Sequence, residues 1–433
     1  MSFTPSDVIE VSAWGRVVGA VALDPTTNFY AFEYDDDWID TGADLAPLHL
    51  PRRRGIYVFP ELNRQTFYGL PGMLADALPD KFGNALVNAW MADQGVSASQ
   101  ITALDRLAYA SERAMGALTF APATGPPTSE ISVVQLADLV TAARAQIAGR
   151  LDDSEDVHRA LTELITVGST AGGARAKAVV AYNPTTGQIR SGQFNAPEGY
   201  EQWLIKLDGV GDTVGQNDPL GTSQQYCRVE YAYYLMATSA GIEMSESRIL
   251  HEDSRAHFMT RRFDRGVGNE RIHSQTLCAL AHLDYNASHA HSYASYFLTA
   301  RELGLGPDDL QQIFRRVVFN VMASNRDDHA KNFSFSLKER GAWQLAPAYD
   351  VTHSNWGVEW TNGHQMSVNG RFLGTTLEDL RTLGDQQGVP GIEQVLRDVT
   401  DATDQWRQFA FEGGVDSIEV EKIASDIVDF RPR

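Results

Sequence analysis

A chain of 433 residues with 43% hydrophobic and 21% charged side chains has the make-up of a globular protein of two or three sub-domains, which excludes a fibre or a disordered chain. Its 56 acidic against 36 basic side chains leave a net charge of −20, which argues against broad contact with a phosphate backbone. No stretch approaches the roughly 20 apolar residues of a membrane span, Cys227 and Cys278 are the only cysteines, and Met1 to Pro5 carry no basic or apolar leader, so a cytoplasmic protein without membrane contact is expected.

From Val8 to Tyr34, β-branched and aromatic residues with Gly15, Gly19 and the Asp24-Pro25 turn predict short antiparallel strands. Helical periodicity follows from about Leu70 to Ala92, with further helix near Ala103 to Leu107. Pro122, Gly125, Pro126 and Pro127 among small polar residues mark a linker. Beyond it come helices over Val133 to Arg150 and Val157 to Ile165, then strands at Lys177 to Tyr182 and Trp203 to Leu207. Tyr226, Val229, Tyr233, Met236 and Ala237 are spaced for a helix from Gln224 to Ala240 that Gly241 would stop. Strands at Arg248 to Leu250 and His257 to Phe263 complete a small sheet, and from Leu277 the chain is mainly helical.

The densest polar segment, Asn325 to Asn332, follows an apolar-periodic helix and precedes the strand-like Phe333 to Leu337. Phosphoryl transfer to a hydroxyl needs a carboxylate to orient the acceptor and an amide oxygen to ligate Mg²⁺, and protein kinases set them as Asp-x-x-x-x-Asn. Asp327 and Asn332 have that spacing. Alone it is weak, since such a pair arises by chance and Asp or Asn at a helix end is commonly a cap. Asp350, eighteen residues beyond Asn332 and past a hairpin turning at Glu339-Arg340-Gly341, supplies the second carboxylate that bridges metal to nucleotide.

Upstream, Gly168 to Lys177 is a small-residue loop whose amides can approach phosphates, and also reads as a plain flexible turn. Lys206, within Trp203-Leu204-Ile205-Lys206-Leu207, suits the lysine that kinases place on α- and β-phosphates, with Glu230 of the next helix as its candidate partner. The competing structural readings are an edge-strand charge for Lys206 and an ordinary exposed helix glutamate for Glu230. A hydrolytic metal site made of Asp327, Asp328, His329 and Asp350 is a rival that lacks a nucleotide-binding half. His282, His289 and His291 match no strong zinc signature and read as surface or interface histidines.

Taken in order, these segments resemble the HipA family of bacterial toxin kinases. The marks are Gly69-Leu70-Pro71-Gly72 with Asp76-Ala77-Leu78-Pro79-Asp80, Asp105 to Tyr109 with Met115 to Leu118, and Gly172 to Lys177. They continue with Trp203 to Lys206, Arg262-Phe263-Asp264-Arg265, the Asp327 to Asn332 loop and Pro347-Ala348-Tyr349-Asp350. The resemblance implies an α+β, two-lobed protein-kinase-like fold: an extra N-terminal β-rich module over 1–120, a linker over 121–132, a kinase N-lobe over 133–265 and a helical C-lobe over 266–433. It implies an ATP- and Mg²⁺-dependent serine/threonine kinase in which Asp327 is the catalytic base and Asn332 and Asp350 hold Mg²⁺. Lys206, Gly172, Gly173, Ala174, Lys177, His329 and Lys331 would then contact ATP, with Arg261 and Phe263 at the adenine hinge.

It further implies a helix-turn-helix antitoxin of the HipB type that carries operator DNA, which agrees with the acidic charge. The protein substrate implied is a translation component such as an aminoacyl-tRNA synthetase. Self-inactivation by phosphorylation is expected at Thr170 or Ser169, where two added charges would disfavour a loop folded over phosphates. The family usually has Ser where this chain has Thr170, and many members have Pro at the place of Ala176. The alternatives are a small-molecule phosphotransferase and a non-catalytic nucleotide-binding partner of a transcriptional repressor.

Overall fold

The computed structural model describes residues 5–124, 176–193, 195–208, 225–253, 255–355 and 361–430. The chain packs into two compact units, one of Met1–Gln224, Leu250–Ser274 and Lys338–Arg340, the other of Gln225–Ile249, Gln275–Leu337 and Gly341–Arg433.

The first unit opens with strands β1 (Val8–Ala13), β2 (Arg16–Asp24) and β3 (Phe29–Tyr34), antiparallel as the alternation predicts. Ile9, Val11 and Ala13 are buried on one face of β1, the period of a half-covered strand. Gly19 permits the close approach of β2 to β3, because a Cβ there would stand 2.1 Å from the Glu33 carbonyl oxygen. With β4 (Ile56–Tyr57) and β5 (Leu118–Ala121) the sheet runs in the order β4-β3-β2-β1-β5.

The single helix expected over Leu70 to Ala92 is divided. A short turn, Gly72–Ala75, is separated from helix α1 (Lys81–Ala92) because Pro79 has no N–H to donate and disfavours helix at the residue before it. Asp80 then caps α1, accepting from the Gly83 N–H at 2.6 Å. Helix α2 (Ala103–Ala110) begins at a reciprocal Thr102 and Asp105 capping box, and Arg106 reaches from it to Asn84 and Asn88 of α1.

Strands β6 (Lys177–Tyr182), β7 (Ile189–Ser191), β8 (Glu201–Lys206), β9 (Ser247–Glu252) and β10 (Arg255–Arg261) form a second sheet in the order β7-β6-β8-β10-β9, which sets β8 at its centre. Leu86, Val87 and Met91 of α1 share one core with Val180, Trp203, Ile205 and Met259 of this sheet.

In the second unit, helix α3 (Tyr226–Ser239) stops where Gly241 takes φ +80°, as its sequence position predicts. Strand β11 (His273–Thr276) leads into helices α4 (Leu277–Ala281), α5 (Tyr293–Glu302) and α6 (Pro307–Met322), with β12 (His291–Ser292) between α4 and α5. A hairpin of β13 (Ser334–Leu337) and β14 (Trp343–Leu345) follows, then β15 (Met366–Ser367) and helices α7 (Leu377–Gln386), α8 (Ile392–Asp404), α9 (Trp406–Glu412) and α10 (Ser417–Asp426). Tyr233 joins three of these pieces, its ring against Phe319 and Trp406 and its hydroxyl donating to the Ala323 carbonyl at 2.6 Å. Among the described residues, no helix is long and apolar enough to cross a membrane.

Candidate active site

Helix α6 delivers the polar loop. Ser324 takes φ +52° just beyond it, which turns the chain, and its hydroxyl donates to the Asp426 carbonyl at 2.6 Å. The Asn325 amide donates to Asn320 Oδ1 at 2.9 Å, tying the loop back to α6. The backbone N–H groups of Arg326 and Asp327 donate to Ser354 Oγ at 2.6 and 2.9 Å. Asn332, at the end of a 3₁₀ turn, donates from its amide nitrogen to the Asp327 carbonyl at 2.7 Å. The Asp327 and Asn332 spacing is thus closed into a ring by the asparagine itself.

Asp327 stays partly open to solvent, with His329 Nε2 3.5 Å from its Oδ1. The Tyr285 ring lies against both His329, with centroids 5.4 Å apart, and the Lys331 ammonium at 5.2 Å. Asp328 points the other way and is buried. One of its oxygens accepts from the Tyr293 hydroxyl and from His364 Nδ1 at 2.9 Å, the other from the Gln365 N–H at 2.7 Å. Burial, reinforced by the Asp328 charge, pushes the Tyr293 phenol well above its ordinary range, which keeps it a donor.

Asp350 follows β14 on a stretch pinned by a 2.8 Å bond from the Ala348 N–H to the Glu243 carbonyl. Its own φ of +52° is left-handed, a conformation that Asp tolerates better than most residues and that folds keep at functional positions. Asp350 and Asn332 line the same cleft, with Asp328, Asn320 and Tyr349 also on its wall. Among the described residues no group of three or more His, Cys, Asp or Glu side chains is arranged to hold a metal, and Asp328 is occupied internally. His289 packs on Phe372 and His291 bonds the Asp284 carbonyl, each separately engaged.

In the first unit, Lys206 lies on the central strand and is buried, which rules out an edge-strand solubilising charge. It stands in register between Lys177 of β6 and Phe258 of β10, its ammonium 5.9 Å from the Phe258 ring. Lys177 Nζ lies 3.3 Å from Asp80 Oδ2, an ion pair buried on both sides. Arg261 is half-exposed beside Glu201, 3.5 Å away, and Phe263 is half-buried. Glu230 is buried in α3, unlike an ordinary surface glutamate. Ser169, Thr170, Gly172, Gly173 and Ala174 lie outside the described residues.

Two family profiles match the chain: the HipA-like C-terminal domain over residues 169–407, more than half of it, and the HipA N-terminal domain over 9–121. The chain belongs to the HipA family. A solved structure of the Shewanella oneidensis MR-1 toxin–antitoxin system, HipA with HipB and operator DNA, matches with a TM-score of 0.67 at 17% identity, over 97% of this chain and 95% of that one. The fold is therefore the two-domain α+β HipA-like kinase fold, with a β-rich N-terminal and a helical C-terminal part. Y4dM of Sinorhizobium fredii, provisionally named a kinase, is 27% identical over 170 residues, 34% of this chain and 36% of that protein. The match spans about a third of the length of that curated relative.

Several HipA marks meet one another in space. Asp264 of the Arg262 to Arg265 segment is fully buried, bonded twice by Arg262, once by Arg265, and by the Gly116 N–H at 2.8 Å. Burial alone would raise its carboxyl, but Arg262 and Arg265 hold it far below the usual carboxylate range. Asp80 and Lys177 are another such meeting. Sequence reasoning missed the bracing residues Asp80, Asp328, Ser354 and His364. Asp80 and Asp328 stand inside quoted motifs; Ser354 and His364 carry no local signal.

Proposed function

We propose that this chain is a serine/threonine protein kinase that transfers the γ-phosphoryl group of ATP to a protein hydroxyl, acting as the toxin of a HipA/HipB-type pair. The observation that carries the reading is the 2.7 Å bond from Asn332 to the Asp327 carbonyl. It commits the amide nitrogen to the loop and so orients the amide oxygen, the atom a hard cation takes. Asn332 oxygen and the Asp350 carboxylate, on one cleft, are the oxygen donor set that suits Mg²⁺. Held by Asn332 and Asp350, a Mg²⁺ ion would supply positive charge against the charge that develops on the transferred phosphoryl group.

Asp327 orients the acceptor hydroxyl and takes its proton as the new P–O bond forms and the bond to the ADP oxygen breaks. Lys206, with Glu230 as its partner, holds the α- and β-phosphates, and Gly172, Gly173, Ala174 and Lys177 flank them. His329 and Lys331 approach the nucleotide from the loop, and Arg261 and Phe263 bound the adenine. The substrate is a translation component such as an aminoacyl-tRNA synthetase, and modification of Thr170 or Ser169 switches the enzyme off. A helix-turn-helix antitoxin of the HipB type holds the chain on operator DNA, as the named partners of the Shewanella oneidensis structure suggest.

Incubation with γ-labelled ATP and Mg²⁺ tests this. Wild type should label itself and a protein target, whereas Asp327→Ala and Asp350→Ala should lose at least about 100-fold of the rate. Equal labelling in all three would sink the assignment. Label confined to a hydroxylated metabolite would make the protein a small-molecule phosphotransferase. Full self-labelling when both Thr170 and Ser169 are alanine would remove the proposed switch.

A further inference from the structure

We propose that Ser354 is a positioning residue that locks the Asp327 backbone to the segment carrying Asp350, so that the two carboxylates keep a fixed separation during phosphoryl transfer. The proposal rests on the kinase reading above. Ser354 is fully buried. Its hydroxyl has one proton and two lone pairs, and all are engaged: it accepts from the Arg326 and Asp327 N–H groups at 2.6 and 2.9 Å and donates to Asn325 Oδ1 at 3.2 Å. Three successive loop residues therefore close on one oxygen.

The neighbouring bonds run the same way. The Ser354 N–H donates to the Ser324 carbonyl at 3.3 Å, and Arg326 Nη1 donates to Asn355 Oδ1 at 2.9 Å. His353 Nε2 lies 2.9 Å from Asp426 Oδ2, and the Ser324 hydroxyl bonds the Asp426 carbonyl, so the loop and the segment from Asp350 to Asn355 share an anchor at the end of α10. Ser354 is four residues past Asp350, whose left-handed φ sets the direction of the segment between them. The Ser354 hydroxyl is the link that reaches the Asp327 N–H itself, while the other bonds tie its neighbours Ser324 and Arg326 to the same segment.

Asp328 gives the loop an independent hold through Tyr293, His364 and Gln365. Removing the Ser354 hydroxyl should therefore loosen Asp327 without unfolding the loop. In-line transfer is sensitive to sub-ångström placement, so Ser354→Ala should lower kcat roughly 100-fold. Because Ser354 is placed on neither ATP nor metal, KM for ATP and the far-UV circular dichroism should stay at wild-type values. A roughly 100-fold lower kcat at unchanged circular dichroism is what a general loss of folded protein would not produce, because that loss would lower the spectrum in step with kcat.

Steady-state kinase assays on the full chain with Ser354→Ala and Asp327→Ala side by side provide the test. Wild-type kcat in Ser354→Ala beside an inactive Asp327→Ala overturns the lock and leaves the kinase reading standing. Wild-type label in Asp327→Ala overturns the kinase reading, and the proposal with it. Hydrogen-exchange mass spectrometry of the unmodified protein gives a check that needs no variant: the peptide covering Asn325 to Asp328 should be protected at the Arg326 and Asp327 amides. Exchange there at the rate of an open loop would overturn the lock.

Discussion

His273 shows how a single enclosed side chain sets a pH limit. It is buried, with Nε2 3.1 Å from the Leu45 carbonyl oxygen. Burial pushes its imidazole down to about 4, against the smaller upward pull of that carbonyl. The unfolded chain, with an ordinary histidine pKa of about 6.5, binds more protons than the native one below that value. This contribution is therefore complete above pH about 6.5 and is lost as pH falls towards 4, an effect on the order of 3 kcal/mol. Denaturant melts from pH 7 to pH 4 should show wild type losing stability more steeply than His273→Gln, which keeps a donor for Leu45 but does not titrate; equal slopes would refute this. At the same scale, the Asp327 and Asn332 spacing and Asp350 stood out as candidates because kinase chemistry imposes a chain separation. Ser354 and His364 were not, because a lone Ser or His carries no pattern until folding sets it against the loop.

Elements were read with mixed success, and the failures have local causes. The helix from Leu70 to Ala92 was expected whole because its apolar spacing continues across Pro79, but a missing donor and the Asp80 cap outweigh periodicity. The strand at Lys177 to Tyr182 and the Gly241 stop were found as expected, since β-branched runs and left-handed glycines act over a few residues. Strand order was another matter. That β8 lies between β6 and β10 follows from pairings distant in sequence, and it turns Lys206 from a conceivable surface charge into a buried lysine. Lys206→Met should accordingly keep the sheet, by circular dichroism, while ATP-dependent labelling falls roughly 100-fold, the scale of losing one electrostatic contact to a reacting phosphate. Labelling at the wild-type rate would remove Lys206 from the nucleotide site.

For the whole molecule, a net charge of −20 bears on partners rather than on fold. If an antitoxin of the HipB type carries the DNA contact, the isolated chain should leave operator DNA unshifted in a gel at physiological salt, and should retard it further once that antitoxin is bound. A shift by the chain alone would contradict the charge argument. By itself the sequence determined the chemistry available, the order of the family marks and most element types, because propensity, capping and motif spacing act over short stretches of chain. Only the tertiary structure decided that Asn332 closes on Asp327, that Asp328 turns inward while its neighbour stays open, and that the Ser354 hydroxyl accepts from the Arg326 and Asp327 N–H groups. Those relations join residues up to several tens of positions apart, and burial with hydrogen-bond satisfaction in a packed interior selects them. The candidate site residues could thus be picked out by spacing, whereas the bonds that surround them exist only once the chain has folded.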